Sequence, residues 1–163
     1  MFRMIEKSRS PQKGFTLVEL IIVLAIIVIL AAVIISIYFF KNRLAEARNA
    51  SRFEEVQSLA SALTTYQVDH NGFLPPGIDN KLRMLGTETL GCDVPCGISG
   101  EATESSCLNL SSFIAYQYLA QVPDDPLFGS EEKTYYAVRT LPGGRMAVMA
   151  CGSELNVDIT SEK

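Results

Sequence analysis

The stretch KGFTLVELIIVLAIIVILAAVIISIYFF, Lys13 to Phe40, decides how the rest of the chain must be read. From Leu20 to Phe40 it runs for 21 uncharged residues, with Ser36 the one clearly polar member. At 1.5 Å per residue this run makes a helix about 32 Å long, which matches a hydrocarbon core of roughly 30 Å. Tyr38, Phe39, Phe40 and Lys41 supply an interfacial end. A secretory signal fits poorly, because its apolar part is about 7–15 residues and closes on small residues at a cleavage site, whereas this run continues past Ala31-Ala32. One membrane span is expected. Charge counting does not orient it, since Arg3, Lys7, Arg9 and Lys13 on one side face Lys41, Arg43, Arg48 and Arg52 on the other.

Outside this stretch the composition is that of a small acidic domain. The 163 residues are 48% hydrophobic and 20% charged, with a mean hydropathy of +0.19 that averages two unlike parts. With the span removed, roughly 120 residues remain, close to the usual size of one domain, which excludes a multidomain enzyme and a polytopic transporter. In the first 14 residues Arg3, Lys7, Arg9 and Lys13 outweigh Glu6 by three charges; the whole chain is −4, so the remainder carries −7. An acidic body argues against nucleic-acid binding, which depends on neutralising phosphates.

Glu19 is the one carboxylate at the head of the apolar run, and no Lys or Arg follows it before Lys41. A charge in lipid costs about 2.5–3.5 kcal/mol at mid-bilayer on insertion scales, so such a residue calls for a partner. Lys13-Gly14-Phe15-Thr16-Leu17-Val18-Glu19 and the helix behind it resemble the signal of type IV prepilins and pseudopilins. The resemblance implies that a membrane prepilin peptidase cuts after Gly14, that Phe15 becomes the N-methylated amino terminus, and that Glu19 neutralises the terminal amine of a neighbouring subunit. Many type IV pilins carry a helix-bending proline where this chain has Ser36. Without proline's missing N–H and ring clash, a straighter helix is expected.

Beyond Lys41 an amphipathic pattern sets in, with Phe53, Val56, Leu59, Ala60, Leu63 and Tyr66 at three- and four-residue steps. It stops at His70-Asn71-Gly72, a helix C-cap signal followed by Pro75 and Pro76. Unbroken, residues 15–70 would form a helix of about 84 Å. The end of this segment, from Tyr66 to Pro76, is also similar to pseudopilin sequences. Residues 73–108 show no sustained period and read as ordered loop. Asn109 to Gln121 predicts a short helix capped by Ser111 or Ser112, offering Phe113, Ile114, Tyr116, Leu119 and Ala120 to the core. Thr134–Leu141 and Arg145–Cys151 predict a β-hairpin around Pro142-Gly143-Gly144, and Leu155–Thr160 a third strand.

The fold class that follows is α+β and type IV pilin-like: a long N-terminal helix packed on a small antiparallel sheet. Its expected parts are a cytoplasmic leader (1–14), a transmembrane and assembly half-helix (15–40), an amphipathic half-helix (41–71) and a head (72–163).

Four cysteines, Cys92, Cys96, Cys107 and Cys151, lie in the part expected outside the cytoplasm, where disulfides form. Three pairings are open; the favoured one joins Cys107 to Cys151 and clasps Cys92 to Cys96. Zinc is the alternative, but the spacing lacks paired knuckles. The loop from Asp124 to Glu132 gathers Asp124, Asp125, Glu131 and Glu132 around a turn. Asp124, Asp125, Ser130 and Glu131 are candidate calcium ligands, hard oxygens of the kind Ca²⁺ selects. This loop resembles the calcium loop of major pseudopilins but lacks its Trp-Gly pair. No catalytic motif is present, and His70, the sole histidine, reads as a helix-end residue rather than a base. Tyr116, Tyr118, Tyr135 and Tyr136 read as divided between core and surface.

The expected function is therefore structural: a single-pass prepilin of the cytoplasmic membrane, head outside, cut after Gly14 and built into a pilus-like filament. Its expected partners are the prepilin peptidase, other pilin subunits, the assembly machinery and the membrane. The alternatives are a pseudopilin of a secretion or DNA-uptake machine, and an uncleaved membrane-anchored binding domain.

Overall fold

A computed structural model describes residues 14–115 and 118–163. The expected leader, up to Lys13, and Tyr116 lie outside the described residues, as does the side chain of Ile114. The chain divides into two compact units, one ending at Lys41 and the other running from Asn42 to Lys163.

Helix α1 is Leu17–Asp69. Thr16 caps it: its hydroxyl accepts the Glu19 N–H (3.2 Å), satisfying one of the first-turn donors that have no partner within the helix. Ser36 does not interrupt it, because the hydroxyl donates to the Ala32 carbonyl one turn back (2.8 Å). The helix stops where expected. Asn71 and Gly72 turn into the left-handed region (φ 55° and 87°), and the Gly72 N–H bonds the Gln67 carbonyl at 2.7 Å.

In the first unit every described residue from Gly14 to Lys41 is exposed. Among the described residues α1 is the one helix long and apolar enough to cross a membrane, with a mean hydropathy of 3.6 over its most apolar window.

The second unit holds a four-stranded antiparallel sheet and a small hairpin. In chain order the strands are β1 (Arg83–Met84), β2 (Pro95–Cys96), β3 (Glu101–Ala102), β4 (Tyr136–Thr140), β5 (Met146–Ala150) and β6 (Thr160–Glu162). The larger sheet has the order β1-β4-β5-β6, and β2 pairs with β3. The predicted hairpin is β4–β5, in the register Tyr136↔Ala150, Val138↔Val148 and Thr140↔Met146. Because side chains alternate along a strand, Tyr136, Val138, Met146, Val148 and Ala150 join one core with Val56, Leu59, Ala60 and Leu63 of α1. Ala137 and Met149 face the other way and meet Leu82 and Cys96. Both faces of the central strands are thus covered, and all five residues of β5 are buried.

Four expectations are corrected. Phe53 is not core: it is 53% exposed, and the buried row passes instead through Asn49, Arg52, Val56 and Leu59. Phe53 lies about 100° round the helix from Arg52, so it falls off the stripe that faces the sheet. The short helix is only α2 (Ser111–Ala115); its first turn is capped by Asn109 Oδ1, which accepts the Ser111 N–H (2.8 Å), and Ala120 is exposed. The third strand begins at Thr160, because Leu155 and Asn156 adopt left-handed angles (φ 59° and 54°) that make a turn.

Lastly, the disulfides are Cys92–Cys107 and Cys96–Cys151, not Cys107–Cys151 and Cys92–Cys96. The β2–β3 hairpin explains the change. It folds the chain back so that the Cys92 N–H bonds the Ser105 carbonyl (2.9 Å), which brings Cys107 beside Cys92. Cys96 points instead toward the outer face of the sheet, where it meets Cys151 beyond the end of β5.

Candidate functional site

Two groups of residues carry chemistry. The first is the amino-terminal part of α1. Gly14 and Phe15 are both exposed, Phe15 by 83%, so the peptide bond between them is accessible. Glu19 sits in the first turn of α1, where a carboxylate is favoured by the unsatisfied N–H groups. Among the described residues Glu19 makes no ion pair. The segment therefore offers an accessible Gly14–Phe15 peptide bond and, among the described residues, one carboxylate without an ion pair, followed by an exposed apolar surface.

The second group was not foreseen as a unit. Arg48 and Asn49 lie four and three residues before Arg52 on α1, so each neighbours Arg52 on the helix surface. They meet two turns of the second unit. Arg52 is fully buried; its Nε and Nη2 donate to the two oxygens of Asp125 (2.6 and 3.0 Å), and its Nη1 donates to Glu154 (2.9 Å) and to Asn49 Oδ1 (2.9 Å). Arg48 forks onto Glu154 through Nε and Nη2 (2.7 and 2.6 Å). Asn49 brackets the same turn, donating to the Glu154 carbonyl and accepting the Glu154 N–H. One helical turn on, the buried Tyr136 hydroxyl donates to Glu55; burial first, and then the Glu55 carboxylate, push this phenol well above the usual tyrosine range. The Arg48 and Arg52 guanidinium groups hold Glu154 down at about 2.

The candidate calcium ligands are only partly brought together. Asp124 and Glu131 line one cleft of about 300 Å³ with Asn109, Gln121 and Thr134. Asp125 turns inward to Arg52, and its Oδ1 also accepts the Leu127 and Phe128 N–H groups (2.9 and 3.0 Å). Ser130 is exposed and shapes the turn, accepting the Lys133 N–H. Among the described residues no three His, Cys, Asp or Glu side chains converge as a metal site.

His70 stacks on Tyr66 (ring centroids 3.8 Å apart), with Nδ1 2.9 Å from the Tyr66 carbonyl. Tyr118 donates to Asp69 (3.0 Å), and Tyr135 packs on Phe128 at the surface while Tyr136 is core. Arg52 and Asp125 left little trace in the sequence. The available signal was spacing: Arg52 lies four residues before Val56, on the row that continues through Leu59 and Leu63.

No curated protein and no solved structure matches the chain significantly. Residues 9–35 match the prokaryotic N-terminal methylation motif, the prepilin-type signal. That motif, at the head of a long apolar helix that goes on to pack against a small antiparallel sheet, supports a precursor similar to type IV pilins and pseudopilins.

Proposed function

We propose that the chain is a filament subunit, cut between Gly14 and Phe15 and polymerised through the apolar part of α1. The observation that carries this reading is the surface from Phe15 to Phe40: every residue is exposed, and Glu19 is the only charge. Such a surface requires either lipid or like helices around it. Moving from lipid to a bundle gains little hydrophobic energy, so association rests on close packing and on polar contacts. Glu19 supplies the polar contact. Cleavage creates an α-amine at Phe15, and a neighbour's amine beside Glu19 neutralises two charges that are each costly in an apolar setting. This pairing fixes the axial stagger between subunits, and N-methylation leaves the amine its charge.

The two disulfides favour a durable surface pilus over the short-lived filament of a secretion or DNA-uptake machine. Mass spectrometry of the membrane-extracted protein tests processing. The expected amino terminus is Phe15, heavier by one methyl group, and an intact Met1 would establish an uncleaved anchor instead. Glu19→Ala is expected to be processed but to leave no sheared filaments; normal filaments from that variant would refute the role of Glu19.

A further inference from the structure

Arg52 is a charge in the place of a core residue. It lies on the α1 row that continues through Val56, Leu59 and Leu63, its side chain has no exposure, and Asp125 opposite is equally closed off. Burying such ions costs several kcal/mol each, and the burial is tolerated only where geometry and further hydrogen bonds compensate. Here they do. The guanidinium grips both Asp125 oxygens and one Glu154 oxygen, while Arg48 takes both oxygens of Glu154 from the outside. Two cations and two carboxylates make a cluster with no net charge. Gly152 belongs to the same design: a Cβ there would lie 2.4 Å from Asp125 Oδ2, so only glycine lets this carboxylate reach Arg52.

The cluster holds together segments far apart in sequence. Asp125 organises the turn that carries Leu127 and Phe128, and Glu154 organises the turn that follows Cys151, so both turns end on one helix side chain. A calcium ion at Asp125 does not fit this arrangement. Ca²⁺ takes six to eight oxygen ligands, yet the two Asp125 oxygens already accept four hydrogen bonds, two from Arg52 and two from backbone N–H groups. Adding a divalent ion would also place two uncompensated charges beside a buried guanidinium.

We propose that Arg52 is a built-in cation, a fixed counter-ion that fastens the Asp125 and Glu154 turns to α1, so that this chain orders both turns without a bound divalent metal. The full-length chain in detergent tests this by thermal unfolding, followed by near-ultraviolet circular dichroism in excess chelator and in millimolar calcium. Wild type is expected to melt at the same temperature in both. Arg52→Met is expected to melt roughly 10 °C lower or more, the scale of a buried charge left unpaired. Adding Asp125→Asn to Arg52→Met is expected to recover part of that loss, because the orphaned carboxylate is then gone; a side chain that merely filled space would give additive losses. Arg52→Lys keeps the charge and loses the fork, and is expected to melt between wild type and Arg52→Met. A wild-type melting temperature that rises with calcium, additive losses in the double variant, or a Lys variant no better than Met would each overturn the proposal; if Arg52→Met fails to fold, a folded Arg52→Lys supports it and an unfolded one overturns it.

Discussion

A carboxylate gripped by two guanidinium groups holds its proton less tightly than a free one, and that difference is a statement about folding. Glu154 is such a group: its hydrogen bonds to Arg48, and then to Arg52, hold it at about 2, against an ordinary value of 4.5. Because the folded-state value is depressed, the stabilisation is complete above the ordinary value and drains away as pH falls from about 4.5 toward 2. Asp79, lowered by Arg83, and Glu132, lowered by backbone and Ser130 hydrogen bonds, act with the same sign. Both are more exposed, so solvent screens their share. The urea midpoint of the head is therefore expected to fall through this acid window, and Glu154→Gln is expected to lower the midpoint at neutral pH while making the acid slope shallower. An unchanged acid slope in Glu154→Gln would show that other carboxylates govern acid unfolding. None of this was visible in the sequence, because a lone Glu between Ser153 and Leu155 announces no partner. Glu154 acquires its partners only when the chain after Cys151 returns to α1.

At the scale of elements, the buried stripe of α1 separates two kinds of apolar residue. Leu59 has no exposure and packs in the main core, whereas Phe53 is 53% exposed. Leu59→Ala is expected to cost about 2–5 kcal/mol, and Phe53→Ser to change stability by about 0.5 kcal/mol or less, both read from denaturant midpoints. Equal losses would mean that Phe53 is covered in the folded head. The contrast also shows which elements were legible. The helix repeats a period that its side chains obey, so Val56, Leu59 and Leu63 were readable from spacing, and the β4–β5 hairpin was readable as two β-compatible runs around Pro142-Gly143-Gly144. Residues 73–108 repeat nothing. Their shape depends on β2 and β3, two-residue strands too short to leave a pattern, and on disulfides whose partners are set by that hairpin. The Cys92–Cys107 pairing is local only after Cys92 has been laid opposite Ser105, an event with no signature in spacing. Phe53 and Arg52 mark the converse: an apolar residue of the expected stripe is exposed and a charged residue outside that stripe is buried, because helical geometry turns Arg52 and not Phe53 toward the sheet.

For the whole molecule, charge is unevenly divided, and the proposed processing sharpens the division. Loss of the first 14 residues removes a net +3 of side-chain charge from a chain of −4, leaving −7, and exchanges the original terminal amine for one at Phe15. If Glu19 is then neutralised inside the bundle by that amine, the remaining negative charge belongs to what a filament presents to water. Packed subunits carrying like charge repel over a Debye length of about 10 Å at 0.1 M salt, and this repulsion opposes the close packing that α1 requires. Salt screens exposed repulsion far more than it weakens a pair buried in an apolar bundle, so it should act on the heads and spare the Glu19 contact. Purified filaments are therefore expected to shed subunits as ionic strength is lowered and to hold together as it is raised, measured by the fraction that sediments. Glu19→Ala is expected to stay unassembled at every salt concentration, because screening the heads cannot replace a missing axial contact. If instead filaments dissolved with added salt, exposed ion pairs between heads would be holding them, and α1 would not be the dominant bond between subunits.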